Sequence, residues 1–198
     1  MTTFLGDGET IPSKPCDDGM QHGDGGIWVF AYGSLIWRPD FRPMESRVAR
    51  LVGWRRSLCI LSTIYRGTPE APGLVLGLDR GGSCLGRALR VASGDWPEVK
   101  ARLDAREMVT GVYHPRFLRV RLEDGSRVQA YAYVANRHHL QYWSGTGDQA
   151  VRLLRQGVGT AGSARDYLAN TVAQLTALGI ADHTLRRMLE LVDAGNGI

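Results

Sequence analysis

Short runs of β-branched and aromatic residues, each stopped by glycine, proline or aspartate, constrain this chain more than any other feature. They fall at Ile27 to Tyr32, Val48 to Val52, Ser57 to Ser62, Leu74 to Leu78, Leu85 to Val91, Phe117 to Leu122 and Val128 to Val134. Runs of this length and composition predict strands, and so many in one chain predict a barrel. Asp124-Gly125, between the last two runs, tolerates positive φ and predicts an antiparallel hairpin. Helical signals interrupt the pattern. Asp95 with Glu98 resembles a capping box opening a helix that continues to about Met108 and is ended by Gly111. Ser163 and Asp166 open a second, carrying Leu168, Val172, Leu175 and Leu178 and stopping at Gly179. Asp182 caps a third, with Leu185, Met188, Leu189 and Val192 on one face.

A length of 198 residues with 43% hydrophobic content suits one domain with one core, predicted over 27–198. The leader from Met1 to Gly26 is rich in Gly, Asp, Pro, Ser and Thr and has no helical or strand period, which predicts disorder. It also lacks the charged and apolar regions of a signal peptide. No apolar run approaches the roughly 18 to 20 residues of a membrane span. The net charge of +4 comes without a run of like charges or interleaved aromatics, so no nucleic-acid partner is expected. Cys16, Cys59 and Cys84 form no C-x-x-C pair, which predicts neither a disulfide framework nor a zinc site and fits a reducing, cytoplasmic setting.

Glu107 is the most informative side chain. On a helix, Leu103 lies about 40° and Trp96 about 20° around the axis from it, so Glu107 projects from the apolar stripe. A carboxylate aimed inward near a helix C-terminus should have its pKa raised by desolvation and by the macrodipole, toward the range of a general base. The competing reading is a buried ion pair with Arg106 or another arginine. Tyr32-Gly33-Ser34-Leu35, ending the first strand, is the second feature: glycine permits close backbone approach, and successive N–H groups can cradle a carboxylate or oxyanion. The same turn read alone is an ordinary strand end. The turn is also expected to hold Gly33 at a φ that β-branched residues avoid. His138-His139 point to opposite faces of a strand and His114 has no matching ligand, so no metal site is expected. Cys84 follows Gly81-Gly82-Ser83 but has no general base nearby, and Ser34 lacks a G-x-S-x-G frame.

The run Val29 to Trp37, followed by Arg106-Glu107-Met108-Val109-Thr110-Gly111-Val112-Tyr113, resembles the ChaC-type, glutathione-specific γ-glutamylcyclotransferases. Arg66 to Gly73, Gly81 to Cys84, Asn136-Arg137, Gln141-Tyr142 and Asp166-Tyr167-Leu168 resemble that family in the same order, so the likeness covers about Ile27 to Val192. It implies an α+β fold, a small mixed β-barrel with flanking helices. The implied enzyme is cytoplasmic and converts glutathione to 5-oxoproline and cysteinylglycine, with no cofactor, metal or obligate protein partner. Glu107 then corresponds to the acid/base, Ala31, Tyr32, Gly33, Ser34, Leu35 and Ile36 to the loop holding the γ-glutamyl group, and Tyr167 to a tyrosine near the substrate. Ala31 and Trp143 depart from the family pattern, which bears on substrate fit. Other γ-glutamyl amino acids or amines are the alternative substrates, and a binding or regulatory protein of the same fold is the alternative without chemistry.

Overall fold

The computed structural model describes residues 26–195; the expected leader up to residue 25, with Cys16, lies outside the described residues, and its last residue, Gly26, is in a strand rather than disordered. The strands are β1 (Gly26–Ala31), β2 (Glu45–Ser62), β3 (Gly73–Ala92), β4 (Tyr113–Leu122) and β5 (Arg127–Ala135). β1 therefore starts at Gly26, one residue before the expected domain boundary, paired with Ala92 of β3. The helices are α1 (Trp96–Glu107), α2 (Gly147–Gln156), α3 (Ala164–Ala177) and α4 (His183–Asp193). A 3-10 turn spans Ser34–Ile36, and a two-residue pair, β6 (Val158–Gly159) with β7 (Gly162–Ser163), precedes α3.

The strands close into a barrel in the order β1-β3-β2-β4-β5. Successive neighbours are antiparallel except at the closure, where β1 runs parallel to β5 with Trp28 opposite Ala130 and Val29 opposite Tyr131; β3 also meets β5 in parallel, with Leu78 opposite Val134. The expected mixed barrel with flanking helices is thus the observed fold, and the hairpin at Asp124-Gly125 joins β4 to β5. Four of the expected strands are in fact two. Val48 to Val52 and Ser57 to Ser62 are parts of β2, and Leu74 to Leu78 and Leu85 to Val91 are parts of β3. The intervening glycines, taken as breaks, hold positive φ at Gly53, Gly81 and Gly82, and the register slips there between Val52 and Trp54. One residue of β2 faces two of β3, which is a bulge: it bends the ribbon without ending it.

Alternation on bent strands turns Val29, Ala31, Leu51, Leu74, Leu76, Leu78, Leu89, Val120 and Tyr133 into a buried core. α1 packs beside β4 and β5 through Trp96, whose ring lies 5.1 Å from Tyr131 and edge-on to it. The capping box expected at Asp95 does not form. Asp95 accepts no capping bond, Pro97 sits in the first turn, and Glu98 instead pairs with Arg102 at 2.9 Å. Ser163 and Asp182 do cap α3 and α4, accepting from the N–H groups of Asp166 at 2.9 Å and Leu185 at 3.1 Å.

α2 has no counterpart among the expected helices, because Gly145, Thr146 and Gly147 read as loop. Its start is fixed by Gln149, whose Oε1 accepts the Thr146 N–H at 2.9 Å, and its seat by Leu154, fully buried against the core. No helix among the described residues is long and apolar enough to cross a membrane. Leu154→Ala leaves a cavity beneath α2 and is expected to lower stability by about 2 to 5 kcal/mol, read by urea unfolding. A loss below about 1 kcal/mol would show that α2 does not depend on this contact.

Candidate active site

β1 ends at the barrel mouth, and the chain there turns through Tyr32 and Gly33 into the 3-10 turn. Tyr32 is anchored from below, its hydroxyl donating to the Tyr133 carbonyl at 2.9 Å. Within the turn, the Gly33 carbonyl accepts the Ile36 N–H at 2.9 Å and the Ser34 carbonyl accepts the Arg38 N–H at 2.9 Å. Among the described residues, the N–H groups of Gly33, Ser34 and Leu35 meet no protein acceptor. They are consecutive donors on the wall of a cavity of about 760 Å³, the size class of small-molecule sites.

Gly33 has a φ of −130°, so the expectation of a φ that β-branched residues avoid is corrected. Space is what the position demands. A Cβ at Gly33 would lie 2.8 Å from the Tyr167 hydroxyl, inside contact distance. Tyr167 reaches the turn from the start of α3, its ring 5.9 Å from Trp37 and beneath the Arg66 guanidinium at 5.6 Å. Close approach of one backbone and one phenol therefore selects glycine.

Glu107 is the last residue of α1 and faces the same cavity, its side chain 17% exposed. Burial raises its pKa above the ordinary 4.5; Arg106, whose Nε lies 3.2 Å from Oε1, pulls it down, and Asp40 raises it further. Glu107 is therefore both an ion-pair partner and a carboxyl of raised pKa. Arg106 does more than pair. Its Nη2 donates to Ser34 Oγ at 2.7 Å and its Nη1 to the Arg38 carbonyl at 2.7 Å, and it also meets Asp40. One guanidinium thus ties Glu107 to the turn.

The orientation of α1 is set one turn earlier. Asp104 accepts from the Tyr131 hydroxyl at 2.8 Å, the Tyr133 hydroxyl at 2.7 Å and Lys100 at 2.6 Å. Burial alone would raise its pKa, yet these donors outweigh that and hold it below 3.8. Burial first, and then the Glu107 charge, push Tyr32 well above its ordinary 10.0, and burial also raises Tyr113 and Tyr167. The phenols around the cavity remain neutral donors.

The structure brings Tyr32, Gly33, Ser34, Leu35, Glu107 and Tyr167 to one cavity. It does not bring Ala31 or Ile36 there. Ala31 is fully buried in β1, and Ile36 is a core side chain whose carbonyl accepts from Arg87 at 3.1 Å. The departures at Ala31 and Trp143 also miss the cavity, since Trp143 lines a second cavity with Arg56 and Cys84. Cys59 and Cys84 are buried free thiols, and burial pushes Cys59 up to about 12, so neither is poised as a nucleophile. Sequence reasoning assigned no role to Tyr113, Tyr133, Arg66 or Gln141, which share the cavity wall. Arg66, Tyr113 and Gln141 stood in segments noted for their resemblance. Tyr133 read as an ordinary strand residue.

Residues 27–195 match the family described as ChaC-like protein, and the chain belongs to that family. It is 35% identical over 167 residues to the glutathione-specific gamma-glutamylcyclotransferase of Escherichia coli K12, covering 84% of this chain and 72% of that protein. The human glutathione-specific gamma-glutamylcyclotransferase 1 is 33% identical over 129 residues, covering 63% of this chain and 58% of that one. A crystal structure of a yeast cyclotransferase specific to glutathione superposes with a TM-score of 0.79 at 22% identity, over 86% of this chain and 97% of that one. That likeness carries the fold.

Gly33→Ala is expected to lose about 1 to 3 kcal/mol, because the new methyl collides with Tyr167. In the double variant with Tyr167→Phe most of that loss should return. A double-mutant cycle by urea unfolding measures it, and a deficit unchanged by Tyr167→Phe would remove the contact as its cause.

Proposed function

We propose that this protein is a cytoplasmic glutathione-degrading γ-glutamylcyclotransferase, releasing 5-oxoproline and cysteinylglycine. The observation that carries the reading is a half-buried glutamate of raised pKa in one cavity with three consecutive backbone N–H groups that meet no protein acceptor among the described residues. The relatives named as glutathione-specific cyclotransferases supply the substrate.

The chemistry is an internal aminolysis. The α-amine of the γ-glutamyl group attacks its own γ-carbonyl, the five-membered lactam forms, and the C–N bond to cysteine breaks. Tethering provides a high effective molarity, so no protein nucleophile is needed. The remaining requirements are a folded-back substrate, a proton acceptor and an oxyanion site. An α-ammonium of pKa roughly 8 or above is mostly protonated at neutral pH, so the nitrogen sheds two protons on its way to the lactam N–H: one passes to solvent and frees the lone pair, and Glu107 takes the other as the ring closes and returns it to the departing nitrogen. The N–H groups of Gly33, Ser34 and Leu35 face the γ-oxygen as its charge develops. Tyr167 and Tyr32 fill the wall behind the γ-glutamyl chain, and Ala31 and Ile36 hold the loop from the core.

Glu107→Gln preserves shape but accepts no proton, and turnover of glutathione should fall at least ~100-fold in an assay that follows 5-oxoproline and cysteinylglycine together. Retention of more than about a tenth of the activity would remove Glu107 from the base role. Appearance of 5-oxoproline only from other γ-glutamyl compounds would favour the alternative substrate class.

The raised pKa has two pH consequences. The acid limb of kcat should lie above 4.5, the ordinary glutamate value, and vanish into the baseline in Glu107→Gln. The folded protein binds this proton more tightly than the unfolded chain, so stability falls as pH rises from the ordinary value through the raised one. Glu107→Gln should accordingly melt no lower than the parent at neutral pH, with the difference closing below the ordinary glutamate pKa. A variant that melts well below the parent at pH 7 would show that the Arg106 pair outweighs the cost of burial.

A further inference from the structure

Arg56, in β2, is a cation on the opposite side of the turn from Glu107. Its side chain is 4% exposed, and each end of the guanidinium is committed. Nε donates to the Tyr32 carbonyl at 2.6 Å, Nη2 to the Leu85 carbonyl at 2.6 Å and Nη1 to Asp182 at 3.0 Å. Arg56 lines the second cavity, of about 570 Å³, and is absent from the wall that Glu107 shares. It has no place at the reacting atoms.

The Tyr32 carbonyl belongs to the peptide whose N–H is that of Gly33. No peptide bond among the described residues is cis, so this C=O and N–H point in opposite directions. Holding the oxygen on the guanidinium aims the Gly33 N–H away from Arg56. Tyr32 and Gly33 both border the large cavity, where that N–H meets no protein acceptor among the described residues. A charge-assisted bond to the oxygen also draws electron density from the nitrogen and strengthens its hydrogen as a donor. Fold stability alone explains such a residue poorly, since burying a guanidinium is costly and apolar replacements of buried ion pairs are often neutral or better.

We propose that Arg56 is a positioning residue for cyclisation: it fixes and polarises the Tyr32–Gly33 peptide so that the Gly33 N–H meets the oxyanion. This rests on the cyclotransferase reading above. As the amine lone pair forms the new C–N bond, the carbonyl π pair moves onto the γ-oxygen, and the oriented donor meets that charge; the proton path through Glu107 is unchanged. Because the charge is full only in the tetrahedral state, the contribution falls on kcat rather than on KM.

Arg56→Lys keeps the charge and loses the fork that serves three acceptors. The expected result is a folded variant whose kcat on glutathione drops ~30-fold or more, somewhat less than the ~100-fold or more of an oxyanion donor removed outright, since the Gly33 N–H is misaimed rather than deleted. KM should stay within about threefold and the acid limb should not move. Leu154→Ala, destabilised elsewhere, should keep kcat within about threefold of the parent at a temperature where it is folded. If Arg56→Lys does not fold, Arg56→Met with Asp182→Leu removes the cation and its carboxylate together, and the same split is read there. A folded variant with kcat within threefold of the parent, or with its loss wholly in KM, overturns the proposal. The Gly33 amide proton resonance in ¹⁵N-glycine-labelled protein gives a readout without substrate: Arg56→Lys should move it upfield, and an unmoved resonance overturns the proposal. If the parent does not turn over glutathione the functional reading fails, while the amide shift still decides whether Arg56 orients this peptide.

Discussion

Parallel pairing of β1 with β5 is the constraint from which the site follows. A sheet of these strands without it would leave β1 and β5 as open edges. Closure brings Trp28 and Val29 against Ala130 and Tyr131 and leaves β1 ending at the barrel mouth. A strand paired on both sides must leave the sheet abruptly, and Tyr32-Gly33 is where it does so. The consecutive free N–H groups are the residue of that exit: donors that a longer β1 would have spent on its neighbours.

Two carboxylates on one helix show how the barrel divides structural from chemical work. Asp104 and Glu107 lie one turn apart on α1, and both lose water. Asp104 is met by Tyr131, Tyr133 and Lys100, so its pKa falls. Among the described residues Glu107 is met by one cation, Arg106, itself shared with Ser34, Arg38 and Asp40, and its pKa rises. The donors around Asp104 outweigh its loss of water, and the single cation beside Glu107 does not outweigh its own. The ionised Asp104 fixes the rotation of α1 against β5, which in turn fixes where Glu107 points.

Legibility in the sequence followed the range of the interactions. The run of β1, the hairpin at Asp124-Gly125 and the caps at Ser163 and Asp182 are local, and local chemistry decided them. Glu107 was legible because helical geometry relates it to Leu103 and Trp96 within its own helix. The continuity of β2 and β3 was not, because Gly53, Gly81 and Gly82 carry the same letters in a bulge as in a turn; only the pairing of the two strands distinguishes them. α2 was hidden for a similar reason, its apolar face being short and its first turn made of loop-like residues. Arg56 escaped notice, and Arg106 was seen only as an ion-pair partner of Glu107, because their further partners lie 24 and 72 residues away, which no period or motif spacing encodes.

The two arginines also explain how a reaction without a protein nucleophile is kept in register. An intramolecular cyclisation gains most from a fixed relation between the proton acceptor and the oxyanion donors, since the substrate already holds its own reactants together. In the proposed reaction the acceptor, Glu107, sits at the end of α1 and the donors at the end of β1, elements far apart in the chain. Arg106 spans them directly, touching Glu107 and Ser34 with one planar group. Arg56 holds the other face of the same turn through Tyr32. A flexible cation such as lysine would supply the charge without the geometry, so the identity of these residues is tied to the distance between base and donors rather than to the net charge of the cavity.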